Sequence, residues 1–289
     1  MLSDVAVIIA SYRRPQVLAE TLESLSRQTL KSFQLIVSVV SAEDCPQDGP
    51  LRETFQVCVG SAGSSVQRNR GMALLDPTVR FVAFLDDDVE LAPEYLEKVR
   101  EVFQHNEKLV AFSGYIVEGH AEDRTKARQA LAEPASETGP IVEVSPQGGL
   151  YGCGMNVRRE ILEHEKFDER LRRYGWLEDA DFGVRVKKWG SVGNSRVCRL
   201  YHLRAPQGRV SGKAFGFAQI MNPFYLARKG TLSWREVWTN HAVKVVVSNL
   251  RGYLMSDKRV DRGGRLAGNW LACRRLVAGR VAPEEIESL

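Results

Sequence analysis

Arg80-Phe-Val-Ala-Phe-Leu-Asp-Asp-Asp88 is five apolar residues in a row, closed by three carboxylates. The apolar residues run without alternation, which reads as a strand buried on both faces, as in a parallel sheet covered by helices. Carboxylates at the end of a buried strand are costly unless something neutralises them. Alternate residues of an extended segment share a side, so Asp86 and Asp88 can address the same crevice from neighbouring levels. Hard cations such as Mg2+ and Mn2+ favour carboxylate, water and phosphate oxygens, so the triplet reads as a site for a divalent metal and a diphosphate. The plainer reading is a cap for a helix beginning near Pro93, but a cap needs one acid and that helix starts several residues later.

Outward from this stretch, strands and helices alternate. Asp4-Val-Ala-Val-Ile-Ile-Ala10 is a second buried-strand pattern, broken by Ser11-Tyr-Arg-Arg-Pro15. Val17, Leu18, Leu22 and Leu25 recur at helical spacing after Pro15, a residue suited to a first turn. Strands are expected at 33–40 and 55–59, and Gly60-Ser-Ala-Gly-Ser-Ser65 leads into a helix over 66–75. A further helix is expected from Pro93 to His105. This order predicts an α/β fold with a largely parallel sheet, whose ligands bind beyond the carboxyl ends of the strands. Ala10-Ser11-Tyr12 and Asp86-Asp87-Asp88 both lie at such ends. Residues 118–149 read as a long polar excursion, and 152–162 as a turn and helix. Helical patterns return at 178–189, 234–247 and 265–276, with Gly263-Gly264 separating the last.

Composition sets limits on what the chain can be. With 289 residues, 44% hydrophobic and 26% charged, it is long enough for a full core and shows no sign of disorder or repeats. Five widely spaced cysteines without a C-x-x-C pair suit a reducing compartment. No signal-peptide pattern and no run of about 18 apolar residues occurs, so the expected location is the cytoplasm. Residues 1–202 carry 25 Lys+Arg against 30 Asp+Glu, a balance of −5; residues 203–289 carry 15 against 6, a balance of +9. Such a basic tail can meet an anionic membrane or a phosphorylated acceptor, or can be an ordinary solvated helical surface; no nucleic acid is expected.

A second acidic group, Glu178-Asp179-Ala180-Asp181, follows Trp176. An aromatic face can pack on a sugar ring, and a carboxylate beside it can take a proton from a hydroxyl. An acid-rich first helical turn is the plainer reading. The segments 5–15, Gln67-Arg-Asn-Arg-Gly71, Phe84-Leu-Asp-Asp-Asp88, Phe167-Asp-Glu-Arg170 and Glu178-Asp-Ala-Asp-Phe182 occur in that order. Over residues 4–205 they resemble the successive motifs of the family 2 glycosyltransferases with the GT-A fold.

The resemblance implies a Rossmann-like, mixed and mainly parallel sheet flanked by helices, with a catalytic domain over 1–205 and a basic helical extension over 206–289. The nucleotide-binding half would span about 1–115 and the acceptor half about 150–205. Ala10, Ser11, Tyr12 and Arg14 would line the nucleotide pocket, with Gly63, Arg68 and Asn69 near the base and phosphates. Asp86 would approach the ribose, Asp87 would serve the nucleotide, and Asp88 with His202 would bind Mn2+ or Mg2+. Asp179 would be the general base, with Glu178, Trp176 and Gly154 on the acceptor side. Many relatives carry an aspartate at the end of the second strand; here Ser38-Val-Val-Ser41 stands there, with Glu43 and Asp44 beyond. UDP- and dTDP-sugars are the expected donors, and a glycan or lipid-linked molecule the acceptor. Two rival readings are a nucleotidyltransferase that makes a sugar nucleotide, although no glycine-rich, lysine-containing phosphate loop occurs, and a catalytically silent sugar-nucleotide-binding partner.

Overall fold

The computed structural model describes residues 3–117, 123–133, 142–144 (backbone only), 149–205, 210–255 and 260–289. The apolar runs become strands β1 (Val5–Ala10), β2 (Gln34–Val39), β3 (Phe55–Val59) and β4 (Phe81–Asp86), paired in parallel. Ala10 stands opposite both Ser38 and Asp86, so register alone brings the ends of three strands to one level. Helices α1 (Pro15–Ser26), α2 (Ser64–Met72) and α3 (Tyr95–His105) follow β1, β3 and β4 in turn.

The sheet continues through β5 (Val89–Leu91), β6 (Leu109–Ile116), β7 (Val142–Val144), β8 (Gly154–Arg158) and β9 (Ser191–His202). Its order is β3-β2-β1-β4-β8-β6-β9-β5, with β7 on β9. Helices α4 (Arg124–Ala132), α5 (Arg159–Leu162) and α6 (Glu178–Val186) complete this part. Along β1, Val5, Val7 and Ile9 pack with Leu18, Leu22 and Leu25 of α1 and with Val99 and Phe103 of α3. Ala6 and Ile8 pack on the other face with Phe84, Phe167 and Phe182. Both faces are covered, which is why these strands are apolar throughout.

Two expectations are corrected. The 118–149 stretch is not all loop: Asp123 caps α4 through the Thr125 amide, and β7 joins the sheet, while 118–122, 134–141 and 145–148 lie outside the described residues. Residues 152–162 hold strand β8 before the short α5. Strand β8 pairs antiparallel with both β4 and β6, so the sheet is mixed, as the resemblance implies.

A second compact unit gathers 63–66, 168–181 and 209–289. Its helices are α7 (Gly212–Lys229), α8 (Trp234–Glu236), which passes through a π-helical stretch (Val237–Ala242) into α9 (Val243–Leu254), and α10 (Arg262–Val277). A Cβ on Gly216 would meet the Arg265 carbonyl oxygen, and one on Gly268 the Lys213 carbonyl oxygen. Helices α7 and α10 thus approach closely where both lack side chains. Gly263-Gly264 does not separate helices as expected; it lies in the first turn of α10, where the Asp261 carboxylate accepts from the Gly264 amide at 2.8 Å. Segment 168–181 is held within this unit by Asn222 on the Trp176 carbonyl oxygen (2.9 Å) and by Arg170 on Glu284 (3.0 Å).

Candidate functional site

Strand β4 ends at Asp86, and β9 ends at His202, opposite Val89 of β5. This convergence brings one ligand atom each from Asp86, Asp88 and His202 within 4.8 Å of one another. His202 Nε2 lies 3.1 Å from Asp88 Oδ1 and 3.8 Å from Asp86 Oδ2. Asp88 Oδ2 accepts from the Ala205 amide at 2.8 Å, whereas its buried Oδ1 receives no well-directed hydrogen bond. Burial raises the Asp88 carboxyl, but His202, Arg14 and the Ala205 amide outweigh it and hold it below its ordinary value. Burial lowers the His202 imidazole, but its bonds to Asp88 and Cys153 and the nearby carboxylates push it up to about 11. A proton on His202 therefore balances charge that a bound cation would balance. Two carboxylates and an imidazole converging in this way fit a divalent metal.

Asp87 points the other way and is fully buried. It accepts from Ser11 Oγ (2.6 Å) and Arg14 Nε (2.7 Å), and Arg14 also reaches toward Asp88 at 3.5 Å. Burial is the main reason its carboxyl rises to about 7, against the opposing pull of Arg14 and Ser11. Asp87 was expected to serve the nucleotide; its geometry is that of an anchor that fixes Ser11 and Arg14. Arg68, almost wholly buried, reaches Asp86 Oδ1 and the Gly152 carbonyl oxygen, each at 3.2 Å. It sits in the second turn of α2. Tyr12 is half-buried beside Arg13, whose φ of 56° marks strain at the turn after Ser11.

Other expected residues have structural partners. Asn69 exchanges two 2.9 Å hydrogen bonds with the Phe167 backbone. Gly63 has φ of 134° and bridges Arg173, a conformation that favours glycine. Gly154 lies in β8, where a Cβ would strike Leu200 at 2.6 Å, so packing dictates this glycine. Asp44 is buried, accepting from the Arg13 and Ser41 amides, so it shapes the loop after β2.

In the second unit, the chain reaches the other acidic group through Arg173, Gly175 and Leu177, whose φ values are 56°, 51° and 73°. Two of these three are not glycine, so strain is concentrated just before Glu178. Glu178 is buried, and Asp179 is half-buried with Oδ1 on the Ala180 amide at 2.8 Å. Asp181 is held by Lys229 and Thr231, each at 2.8 Å. Trp176 packs edge-on against Phe215 (5.4 Å between centroids), as does the exposed Tyr174. Sequence reasoning passed over Tyr174, Phe215 and Lys229. Tyr174 is signalled by its spacing from Trp176; the other two lie 39 and 48 residues beyond their partners Trp176 and Asp181, with no local cue.

The family model described as Glycosyl transferase family 2 matches residues 6–165. The glucosyl-dolichyl phosphate glucuronosyltransferase of Haloferax volcanii is 30% identical over 261 residues, which cover 84% of this chain and 77% of that protein. The amylovoran biosynthesis glycosyltransferase AmsB of Erwinia amylovora is 24% identical over 267 residues, covering 83% and 82%. The mannosyltransferase PcManGT of Pyrobaculum calidifontis, solved with GDP-Man and Mn2+, matches with a TM-score of 0.54 at 12% identity, over 100% of this chain and 79% of that one. That last likeness is one of fold.

Proposed function

The chain belongs to glycosyl transferase family 2 and has the GT-A fold, and from that premise we propose that it is an inverting, metal-dependent enzyme using a sugar nucleotide. It acts in glycan or polysaccharide synthesis, and the rival reading as a nucleotidyltransferase falls with the family assignment. The observation that carries the proposal is the convergence of Asp86, Asp88 and His202. Asp88 and His202, with Asp86 beside them, would hold Mn2+ or Mg2+, whose charge, when bound, would offset that growing on the departing diphosphate.

The protein's own groups supply the rest. Ala10, Ser11, Tyr12 and Arg14 line the nucleotide pocket, with Asp87 holding Ser11 and Arg14 in place. Asp86, oriented by Arg68, takes the ribose. Asp179 removes the proton from the acceptor hydroxyl; the oxygen bonds to the anomeric carbon as its bond to the diphosphate oxygen breaks, and nucleoside diphosphate leaves. Glu178 and Trp176 position the acceptor. The Trp176 indole N–H is buried with no hydrogen-bond partner among the described residues, which suits a sugar hydroxyl oxygen. Five free thiols support a reducing compartment, the cytoplasm.

A UDP- or dTDP-sugar is the favoured donor. A thermal-shift panel of UDP-, dTDP- and GDP-sugars with Mn2+ tests this, since a true donor stabilises the fold by mass action. Labelled donor from the best hit should release nucleoside diphosphate. No stabilisation by any sugar nucleotide, and no release, would remove the proposal.

A further inference from the structure

Helix α9 turns an apolar stripe to solvent. Val243, Val247, Leu250 and Leu254 recur at helical spacing on one side, exposed by 56%, 57%, 47% and 73%. The side of α9 carrying Asn249 is buried, where Asn249 bonds Gln219 (3.1 Å), Asn269 (3.0 Å) and Arg262 (3.2 Å). Buried amides of this kind tolerate few arrangements, so they fix which side of α9 looks outward. The stripe is therefore a constructed surface and not a helix that happens to be loose.

Its flanks are of one sign. Lys244 and Arg251 are exposed beside the stripe, and from Val237 to Met255 the chain has no Asp or Glu. Tyr253, 57% exposed, adds an amphipathic ring. Among the described residues no helix is long and apolar enough to cross a membrane. We propose that α9 lies on the surface of an anionic lipid bilayer, with the valine–leucine stripe in the acyl boundary and Lys244 and Arg251 among the headgroups. A second copy of the chain fits less well. Pairing α9 with itself would bring four cations together with no carboxylate in the segment to balance them. The inference does not depend on the donor chemistry, because vesicle binding and sugar transfer are measured separately.

The test is sedimentation of the full chain with phosphatidylcholine vesicles, with and without phosphatidylglycerol. The chain should pellet with the anionic vesicles and stay in solution with the neutral ones. Leu254→Glu and Val247→Glu, at positions more than half exposed, should each lower partitioning at least about tenfold. Arg251→Glu should lower it at least about fivefold, because each basic residue near the surface contributes about 1 kcal/mol. All three variants should keep the wild-type melting temperature and donor hydrolysis. Equal pelleting with both vesicles, pelleting with neither, or unchanged partitioning in the variants overturns the assignment. So does a dimer in sedimentation velocity that Leu254→Glu splits while vesicles go unbound.

Discussion

In the sheet unit, Asp87 is turned inward between two carboxylates that share a metal-sized space; in the helical unit, Asp181 is turned inward behind Glu178 and Asp179. Each cluster thus gives one acid to the fold, but the anchors differ in origin. Asp87 is held by Ser11 and Arg14, from the turn directly after β1. Asp181 is held by Lys229 and Thr231, at and just beyond the carboxyl end of α7. The first cluster is fixed by the ends of the neighbouring strands β1 and β4. The second depends on residues far along the chain, so the basic carboxyl-terminal region fixes the acidic turn proposed for the acceptor side and is more than an appendage.

The largest expected effects divide the clusters by role. Asp88→Asn and Asp179→Asn should each lower turnover by about a thousandfold, the range expected for a lost charge partner or general base. Only Asp88→Asn should also abolish the stabilisation that donor and Mn2+ confer together, read by calorimetry. A large loss of donor affinity in Asp179→Asn, or full turnover in it, would break the division. Next in size, Asp181→Ala should cost about 2–3 kcal/mol in urea unfolding, because it removes one of the two carboxylates on Lys229 and leaves the Thr231 hydroxyl without its acceptor. Donor affinity should hold in that variant. A neutral result would show that α7 does not hold the acidic turn.

Strands β1, β2 and β4 are legible because both faces are buried and their residues are therefore uniformly apolar. Strands β6, β8 and β9 are not, since tertiary partners excuse their polar residues. Asn156 of β8 is buried and donates to Tyr95 Oη at 3.1 Å, and Arg199 of β9 donates to the Glu133 carbonyl oxygen at 2.6 Å. Helix α7 is buried nearly all round, so its sequence has no apolar stripe to read. In the site, Asp86 and Asp88 stand out as acids at the end of a buried strand, whereas His202, at the end of β9, is found only through the resemblance. The pairings Arg14–Asp87 and Lys229–Asp181 join residues 73 and 48 positions apart, and no local pattern encodes them.

The smallest effect concerns Asp168, which shares Lys229 with Asp181. Its Oδ2 accepts from Lys229 (2.6 Å) and Tyr225 (2.8 Å), and its Oδ1 from the Arg170 amide (3.0 Å). Burial raises its carboxyl, but these three bonds together hold it below the ordinary value of 3.8. The unfolded chain then binds the proton first on acidification, so the ionised form contributes stability that is fully present above about pH 4 and is lost as pH falls through the depressed value. Asp168→Asn should cost about 1–2 kcal/mol at neutral pH. The gap to wild type should narrow below about pH 4, followed by urea midpoints at successive pH values. A gap that stays constant or widens on acidification would mean that the charge of Asp168 is not what holds it, and that Lys229 is set by Asp181 alone.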